Sequence, residues 1–220
     1  MGSVLPALDP DDFRARLAEL APLELSDSAF RAFFQHYEEL RRWNARLSLV
    51  GPGTAHEVLP RHFGESLAAL PLIQPDDREI LDLGSGGGFP GIVLAAALAD
   101  RARPPRLTLV EARERKWSFL RTVIRRTGLS CRCLNARVRS PLPDEIRRQF
   151  EIDRVDLVTC RAVALSPDLF EALLEGAPRA RFLLWCGSGA PTLPAHLEVR
   201  RSLDMPGSRS RRLLEIVRNG

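Results

Sequence analysis

Glu79-Ile80-Leu81-Asp82-Leu83-Gly84-Ser85-Gly86-Gly87-Gly88-Phe89-Pro90-Gly91 runs from a short apolar strand straight into glycine. Five glycines fall between positions 84 and 91, where a simple turn needs one. An apolar helix follows from Pro90 to about Ala99, with proline at a first-turn position that tolerates it. A glycine-rich turn between a strand and a helix lets the backbone approach a ligand closely and adopt positive φ. In a doubly wound sheet it is where a nucleotide cofactor sits. Gly86 to Gly91 also match the G-x-G-x-x-G dinucleotide fingerprint, a weak signal when taken alone. Two residues argue against a dinucleotide. Asp82 places a carboxylate where a pyrophosphate would be repelled, and Pro90 removes a backbone N–H that a pyrophosphate would use. S-adenosylmethionine carries a sulfonium and no phosphate, so Asp82, Gly84 and Gly86 suit it better.

Downstream of the turn the pattern keeps alternating. Strands are expected at 107–110, 131–135, 155–159 and 182–185, with helices at 113–126, 141–150 and 167–175 between them. Two further strands, 196–203 and 211–217, close the chain around Pro206-Gly207-Ser208. Alternating units predict an α/β fold, a mostly parallel seven-stranded Rossmann-like sheet with helices on both faces. The closing pair adds to that sheet in antiparallel fashion. Leu109-Val110-Glu111 puts an acid at the end of the second strand, a position that accepts hydrogen bonds from ribose hydroxyls.

Upstream of residue 75 the chain is helical. Phe13, Leu17 and Leu20 follow a cap at Asp9-Pro10-Asp11-Asp12. Ser26-Asp27 opens a longer helix whose stripe of Phe30, Phe33, Phe34, Tyr37, Leu40, Trp43 and Leu47 is expected to pack on the main domain. Thr54 starts a third helix to about Leu70, kinked at Pro60. This predicts a helical extension, residues 1–75, on a core of residues 76–220.

The 220 residues are 45% hydrophobic and 27% charged, which fits one globular core with an appendage and excludes a disordered chain. No apolar run approaches the ~18 residues of a membrane helix, and no leader pattern opens the chain. Four cysteines do not read as a disulfide framework. Cys131, Cys133, Cys160 and Cys186 have no histidine spaced to complete a zinc site and read as buried thiols. The expectation is a reduced, cytoplasmic protein without metal. Of 32 basic residues only Lys116 is lysine, and the net charge is +4. Arginine suits nucleic acid, although the bias also follows from a GC-rich coding sequence. Local clusters at Arg113, Arg115, Lys116, Arg121, Arg125 and Arg126, at Arg200-Arg201 and at Arg209, Arg211 and Arg212 can hold RNA phosphates.

Several stretches together resemble one family, the bacterial small-subunit ribosomal RNA guanine-N7 methyltransferases (RsmG, also called GidB). They are Asn44-Ala45-Arg46-Leu47-Ser48-Leu49-Val50, Arg61-His62-Phe63-Gly64-Glu65-Ser66-Leu67, the glycine turn from Leu81 to Ile92, Val110 to Leu120, and Cys160-Arg161-Ala162-Val163-Ala164. The resemblance implies a class I S-adenosylmethionine methyltransferase acting on N7 of a guanine in 16S ribosomal RNA or the small subunit. A monomer is expected. It implies cofactor contacts at Gly84 and Phe89, a ribose end at Glu111 and Ala112, an adenine flank at Val138 and Arg139, and a role for Arg161. Arg139 departs from the family, which carries Glu there, and Trp185-Cys186-Gly187 departs where the family tends to have Lys before the glycine. Guanine N7 is a lone-pair nucleophile with no proton to remove, so no catalytic dyad is expected. His62 reads as a structural histidine bonded to backbone. Arg161 is expected at the cofactor, a guanine O6 or a phosphate, or in a structural ion pair. Two other readings stay open: an NAD-dependent Rossmann oxidoreductase, and a non-catalytic RNA- or ribosome-binding protein that keeps the cofactor fold.

Overall fold

The computed structural model describes residues 3–219 apart from 162 and 190. Seven strands form one sheet: β1 (Glu79–Leu83), β2 (Arg106–Glu111), β3 (Cys131–Asn135), β4 (Leu157–Arg161), β5 (Arg181–Cys186), β6 (Leu197–Asp204) and β7 (Arg212–Arg218). Their order is β3-β2-β1-β4-β5-β7-β6. The first five are parallel, while β7 runs antiparallel to β5 and β6 antiparallel to β7. The order reverses at β1, between β2 and β4, so the carboxyl ends of β1 and β4 form the crevice where ligands bind in open α/β sheets.

Strand alternation builds two cores. Ile80, Leu107, Leu109, Leu157 and Leu183 point to one face, under α4 (Gly91–Leu98), α5 (Glu114–Thr127) and the helical N-terminal segment. Leu81, Leu83, Val110, Val158 and Phe182 point to the other, under α6 (Asp144–Phe150) and α7 (Pro167–Gly176). Strands buried on both faces read as near-continuous apolar runs, and 80–83 and 157–160 are apolar apart from Asp82 and Thr159, which hydrogen-bond each other.

The N-terminal segment begins with α1 (Pro10–Ala18), whose cap is Asp9; its carboxylate accepts from the N–H groups of Asp11 (3.0 Å) and Asp12 (2.9 Å). α2 (Asp27–Leu47) is capped by Ser26 and buries Phe30, Phe33, Tyr37 and Leu40 against α4 and α5. Trp43 departs from the expected stripe, being 36% exposed at the rim of α2. Its indole N–H donates to Glu39 Oε2 (3.1 Å), so the ring edge is anchored while the rest reaches solvent.

Several boundaries differ from the sequence reading, among them the helix expected from 141, which starts at Asp144. The third helix is not continuous. A 3-10 turn at Pro52–Thr54 is followed by a π-helical turn at Leu59–Gly64, a three-residue α3 (Glu65–Leu67) and a 3-10 turn at Leu70–Leu72. Pro60 and Pro71 each remove a helix donor, so regular α hydrogen bonding cannot run through the segment. The fourth strand begins at Leu157 rather than Val155, because Ile152–Arg154 forms a 3-10 turn. Asp156 is occupied as an acceptor for the N–H groups of Arg78 (2.8 Å) and Glu79 (2.9 Å). Among the described residues, no helix is long and apolar enough to cross a membrane.

Candidate functional site

The glycine turn lies at the carboxyl end of β1 and is fastened from both sides. The N–H groups of Gly84 and Ser85 both donate to Val110 O on β2 (2.8 and 3.1 Å). Gly87 O accepts from His36 Nε2 on α2 (2.7 Å). Gly84 has φ +71°, and a Cβ there would lie 2.4 Å from a Val163 methyl. Gly91 starts α4 so close to the sheet that a Cβ would lie 2.3 Å from Leu109 Cδ2 and 2.6 Å from Asp82 Oδ2. Both positions exclude a side chain, one through backbone conformation and contact, the other through contact alone.

Asp82 is fully buried beneath this turn. Its Oδ1 accepts from Thr159 Oγ1 (2.8 Å), and among the described residues its Oδ2 has no hydrogen-bond partner. The carboxylate therefore faces β4 and the start of α4, and does not present its charge at the turn's open surface as the sequence reading had it. A strand alternates sides at each residue, and position 82 points inward. Burial pushes its pKa up from 3.8 to about 6, against the hydrogen bonds that favour the charged form. A folded-state value above the unfolded one means that the folded chain holds this proton more tightly. The group's stability contribution is thus fullest below about pH 4 and is lost as pH rises through about 6. Chemical denaturation from pH 4 to 7 is expected to show wild type losing on the order of 2 kcal/mol relative to Asp82→Asn across that window; parallel profiles would contradict the burial account.

Glu111, at the end of β2, is 7% exposed. Its Oε2 accepts from Gly86 N (3.0 Å) and its Oε1 from Arg113 N (2.7 Å). Among the described residues neither oxygen is spent on an arginine side chain, and each keeps a lone pair for a second donor. Ala112 is exposed beside it, and Asn135 at the end of β3 donates to Glu111 O (2.9 Å). Val138 is partly buried against the second core and Arg139 is exposed, both on the loop leaving β3. Glu111, Ala112, Val138 and Arg139 thus follow the carboxyl ends of two adjacent strands, β2 and β3. A ribose diol fits the free lone pairs of Glu111, and a phosphate would meet that carboxylate and find no N–H at Pro90. The residues present fit an adenosyl sulfonium ligand.

Phe89 is 6% exposed; its ring packs on His36, His62 and Phe63, with centroids at 5.0, 5.0 and 5.2 Å. His62 pairs with Thr54 Oγ1 (3.0 Å) rather than with backbone. Burial, helped by Arg161 and Arg61, pulls its pKa down to about 3, so it is a neutral imidazole. Arg161 leaves the end of β4 and donates to Arg61 O (2.5 Å), His62 O (3.4 Å) and Glu65 Oε2 (2.9 Å). Glu65, 2% exposed, also accepts from Arg211 Nε at Oε1 (2.8 Å) and lies 3.6 Å from Arg61 Nε. Trp185 on β5 donates its indole N–H to Glu65 O (2.7 Å). The expected ion pair of Arg161 is therefore present, and its anchor is Glu65. Burial lowers the Arg161 guanidinium to about 10, with Glu65 opposing that shift. Ala162, within the quoted family match, lies outside the described residues.

Sequence reasoning missed two residues here. His36 lies on the α2 stripe between Phe33 and Leu40, fully buried, with burial lowering its pKa to about 4. Its place on the apolar face was the available signal. Glu65 sits inside the quoted match, but nothing local marked it as the acceptor for arginines up to 146 residues away. Of the basic clusters, Arg126 pairs with Glu39 (3.1 Å), Arg121 lies over the Trp117 ring (4.8 Å) and Arg211 is held by Glu65. These contacts tie down residues expected to hold phosphates. Cys160 is buried while the other three cysteines are partly exposed, and burial pushes Cys131, Cys133 and Cys160 up to about 12, leaving protonated thiols. Among the described residues no group of three or more His, Cys, Asp or Glu could hold a metal ion.

A seven-stranded sheet of this order, with a glycine turn after β1 and an acid ending β2, defines a class I methyltransferase architecture. Solved structures agree on the fold. A SAM-dependent methyltransferase from Aquifex aeolicus aligns with TM-score 0.54 at 15% identity, covering 74% of this chain and 93% of that one. A putative protein-L-isoaspartate O-methyltransferase from Plasmodium falciparum, in complex with S-adenosyl-L-homocysteine, aligns with TM-score 0.53 at 14% identity over 96% of this chain and 88% of that one. A family model described as rRNA small subunit methyltransferase G matches residues 30–192, and the chain belongs to that family. Its relatives include ribosomal RNA small subunit methyltransferase G of Cereibacter sphaeroides, 36% identical over 150 residues, covering 68% of each chain. That of Methylobacterium radiotolerans is 39% identical over 156 residues, covering 71% of this chain and 67% of its own.

Proposed function

We propose that this protein transfers the methyl group of S-adenosylmethionine to N7 of a guanine in 16S ribosomal RNA, as free RNA or within the small subunit. The observation that carries the reading is the glycine turn at the β1–β4 crevice with Glu111 beside it, in a chain of this family. In this reading the helical extension is residues 1–75 and the methyltransferase core is residues 76–220. The protein works as a monomer in the cytoplasm and needs no metal.

When bound, S-adenosylmethionine supplies an electrophilic methyl on a sulfonium. This chain's residues bind and orient. Gly84, Gly86 and the Phe89 backbone line the turn, while Asp82 and Thr159 stiffen it from below. Glu111 and Ala112 hold the ribose end, and Val138 and Arg139 flank the adenine, Arg139 through its backbone in place of the family's carboxylate. Arg161 orders the acceptor side together with Glu65. A cavity of about 480 Å³ at the ends of β4 and β5, lined by Val163, Leu165, Trp185, Cys186 and Gly187, gives room for the guanine. N7 has its lone pair free at neutral pH, so no residue removes a proton before attack. The neutral His62 imidazole, held by Thr54, packs on Phe89. Rate then comes from holding nucleophile and methyl in line, an effect able to supply roughly 7–11 kcal/mol of the barrier.

Calorimetry tests the cofactor: S-adenosylmethionine and S-adenosylhomocysteine should bind, and NADH should not. Glu111→Ala is expected to weaken that binding about ten- to a hundredfold, since it removes both the ribose acceptor and the Gly86 anchor. Unchanged affinity would refute the ribose site. Tritiated methyl entering small-subunit RNA tests the reaction. Cofactor binding without any transfer would favour a non-catalytic ribosome-binding protein.

A further inference from the structure

A second concave site lies outside the β1–β4 crevice. The carboxyl-terminal turn of α2 and the first turns of α5 enclose a cavity of about 540 Å³, lined by Trp43, Arg46 and Leu47 on one side and Arg115, Ser118 and Phe119 on the other. Trp43 is held by its edge: the indole N–H donates to Glu39 Oε2, and Glu39 is fixed in turn by Arg42 (2.9 Å) and Arg126 (3.1 Å). Arg46 and Arg115 are exposed, and among the described residues neither has a carboxylate within 4.0 Å. They differ in this from Arg126 and Arg211, which are committed to buried acids.

We propose that this cavity seats one unpaired nucleotide of the RNA substrate, its base against Trp43 and its phosphates on Arg46 and Arg115. A partly exposed indole pinned at its edge is a stacking platform, which every base can use. Free guanidinium groups at the rim suit a phosphate backbone. Glu114, the acid of the lining, and the Ser118 and Thr122 hydroxyls offer partners to base edges. The two guanidinium groups at the rim, without carboxylate partners among the described residues, favour a polyanion over an apolar protein anchor. The position is suitable for a substrate, because both helices that form the cavity connect directly to segments of the cofactor site. Leu49, two residues past α2, lies so near the turn that a Gly87 Cβ would be 3.1 Å from its carbonyl oxygen. α5 begins three residues after Glu111. Bound RNA would thus be gripped at two places, the reacting guanine at β4–β5 and a second nucleotide at α2–α5.

This inference rests on the reading of RNA as substrate, and the experiment separates the two. The probe is a fluorescein-labelled, unstructured cytidine octamer, followed by anisotropy. Trp43→Leu should weaken it roughly tenfold, and Trp43→Phe, which keeps an aromatic face, should restore most of the loss. Arg46→Ala and Arg115→Ala should each flatten the slope of log affinity against log salt by about 0.7. Calorimetric affinity for S-adenosylmethionine should stay within about twofold, which also reports that the variants are folded. With undermethylated small-subunit particles, Trp43→Leu should raise KM and leave kcat near wild type. If wild type binds the octamer through Trp43 yet methylates no particle, the subsite stands and the proposed reaction fails. If methylation is intact and Trp43→Leu changes neither octamer binding nor particle KM, the subsite is wrong. Trp43-dependent binding of intact particles without octamer binding would assign the cavity to a ribosomal protein and overturn the proposal.

Discussion

Replacing Gly84 by aspartate is expected to lower affinity for S-adenosylmethionine at least about a hundredfold, or roughly 2.7 kcal/mol, in a chain that still folds. Two effects combine. The residue has φ +71°, which costs an L-residue about 1–2 kcal/mol. Its Cβ would also stand 2.4 Å from the Val163 methyl, so the β4 loop must shift where it borders the crevice. Val163 is 45% exposed and has room to move, so the damage falls on the binding surface more than on the core. The new side chain then occupies the face that the cofactor needs. Gly207→Asp is the control: φ is +70° there, with open space around the position, far along the chain in the β6–β7 turn. It should cost a similar amount of stability and leave cofactor affinity unchanged. Equal affinity for Gly84→Asp and wild type would show that the turn is not the cofactor site.

Glu65→Ala is expected to destabilise the fold by about 3–5 kcal/mol, with Tm falling by about 10 °C, because it leaves buried positive charge without its partner. The carboxylate is 2% exposed and carries Arg161 on one oxygen and Arg211 on the other, with Arg61 at 3.6 Å. These residues belong to β4, the β6–β7 turn and the π-helical segment, so one deletion loosens three parts of the chain around the crevice. Thermal unfolding by circular dichroism measures this, and Glu65→Gln should fall between wild type and alanine. A loss below about 1 kcal/mol would mean that solvent reaches the cluster and screens it. Methyl transfer should fall by more than cofactor affinity does, since Arg161 loses its anchor.

The sequence made the turn and the sheet legible for physical reasons. The alternation of short apolar runs with amphipathic segments forces parallel strands, and all seven strands lie within two residues of where that pattern puts them. Glycine and proline at 84–91 announce a backbone-led ligand turn, because no other residues tolerate those conformations and contacts. Arg161 shows the limit. Its position at a strand's end was readable, but its partner lies 96 residues earlier in a segment that proline breaks into short helical turns. Glu65 carries no local sign of its burial, because pairing across that distance depends on tertiary packing. Asp82 gave the opposite error: its charge was readable, and its direction depended on which face of β1 it takes. Trp43 fell on the apolar stripe by spacing alone, yet α2 reaches its end there and leaves the ring at the rim.

Together these residues place a methyl group on a guanine N7 of small-subunit RNA. Small-subunit particles isolated from cells lacking the modification, incubated with tritiated S-adenosylmethionine and the protein, test it most directly. Guanine N7 methylation makes the RNA chain cleavable by borohydride and aniline, so the modified nucleotide can be mapped. The account predicts label at a single guanine of the small-subunit RNA, about one methyl per particle, and a large loss with Glu111→Ala. No label in guanine, or label on another atom or on protein, would contradict it.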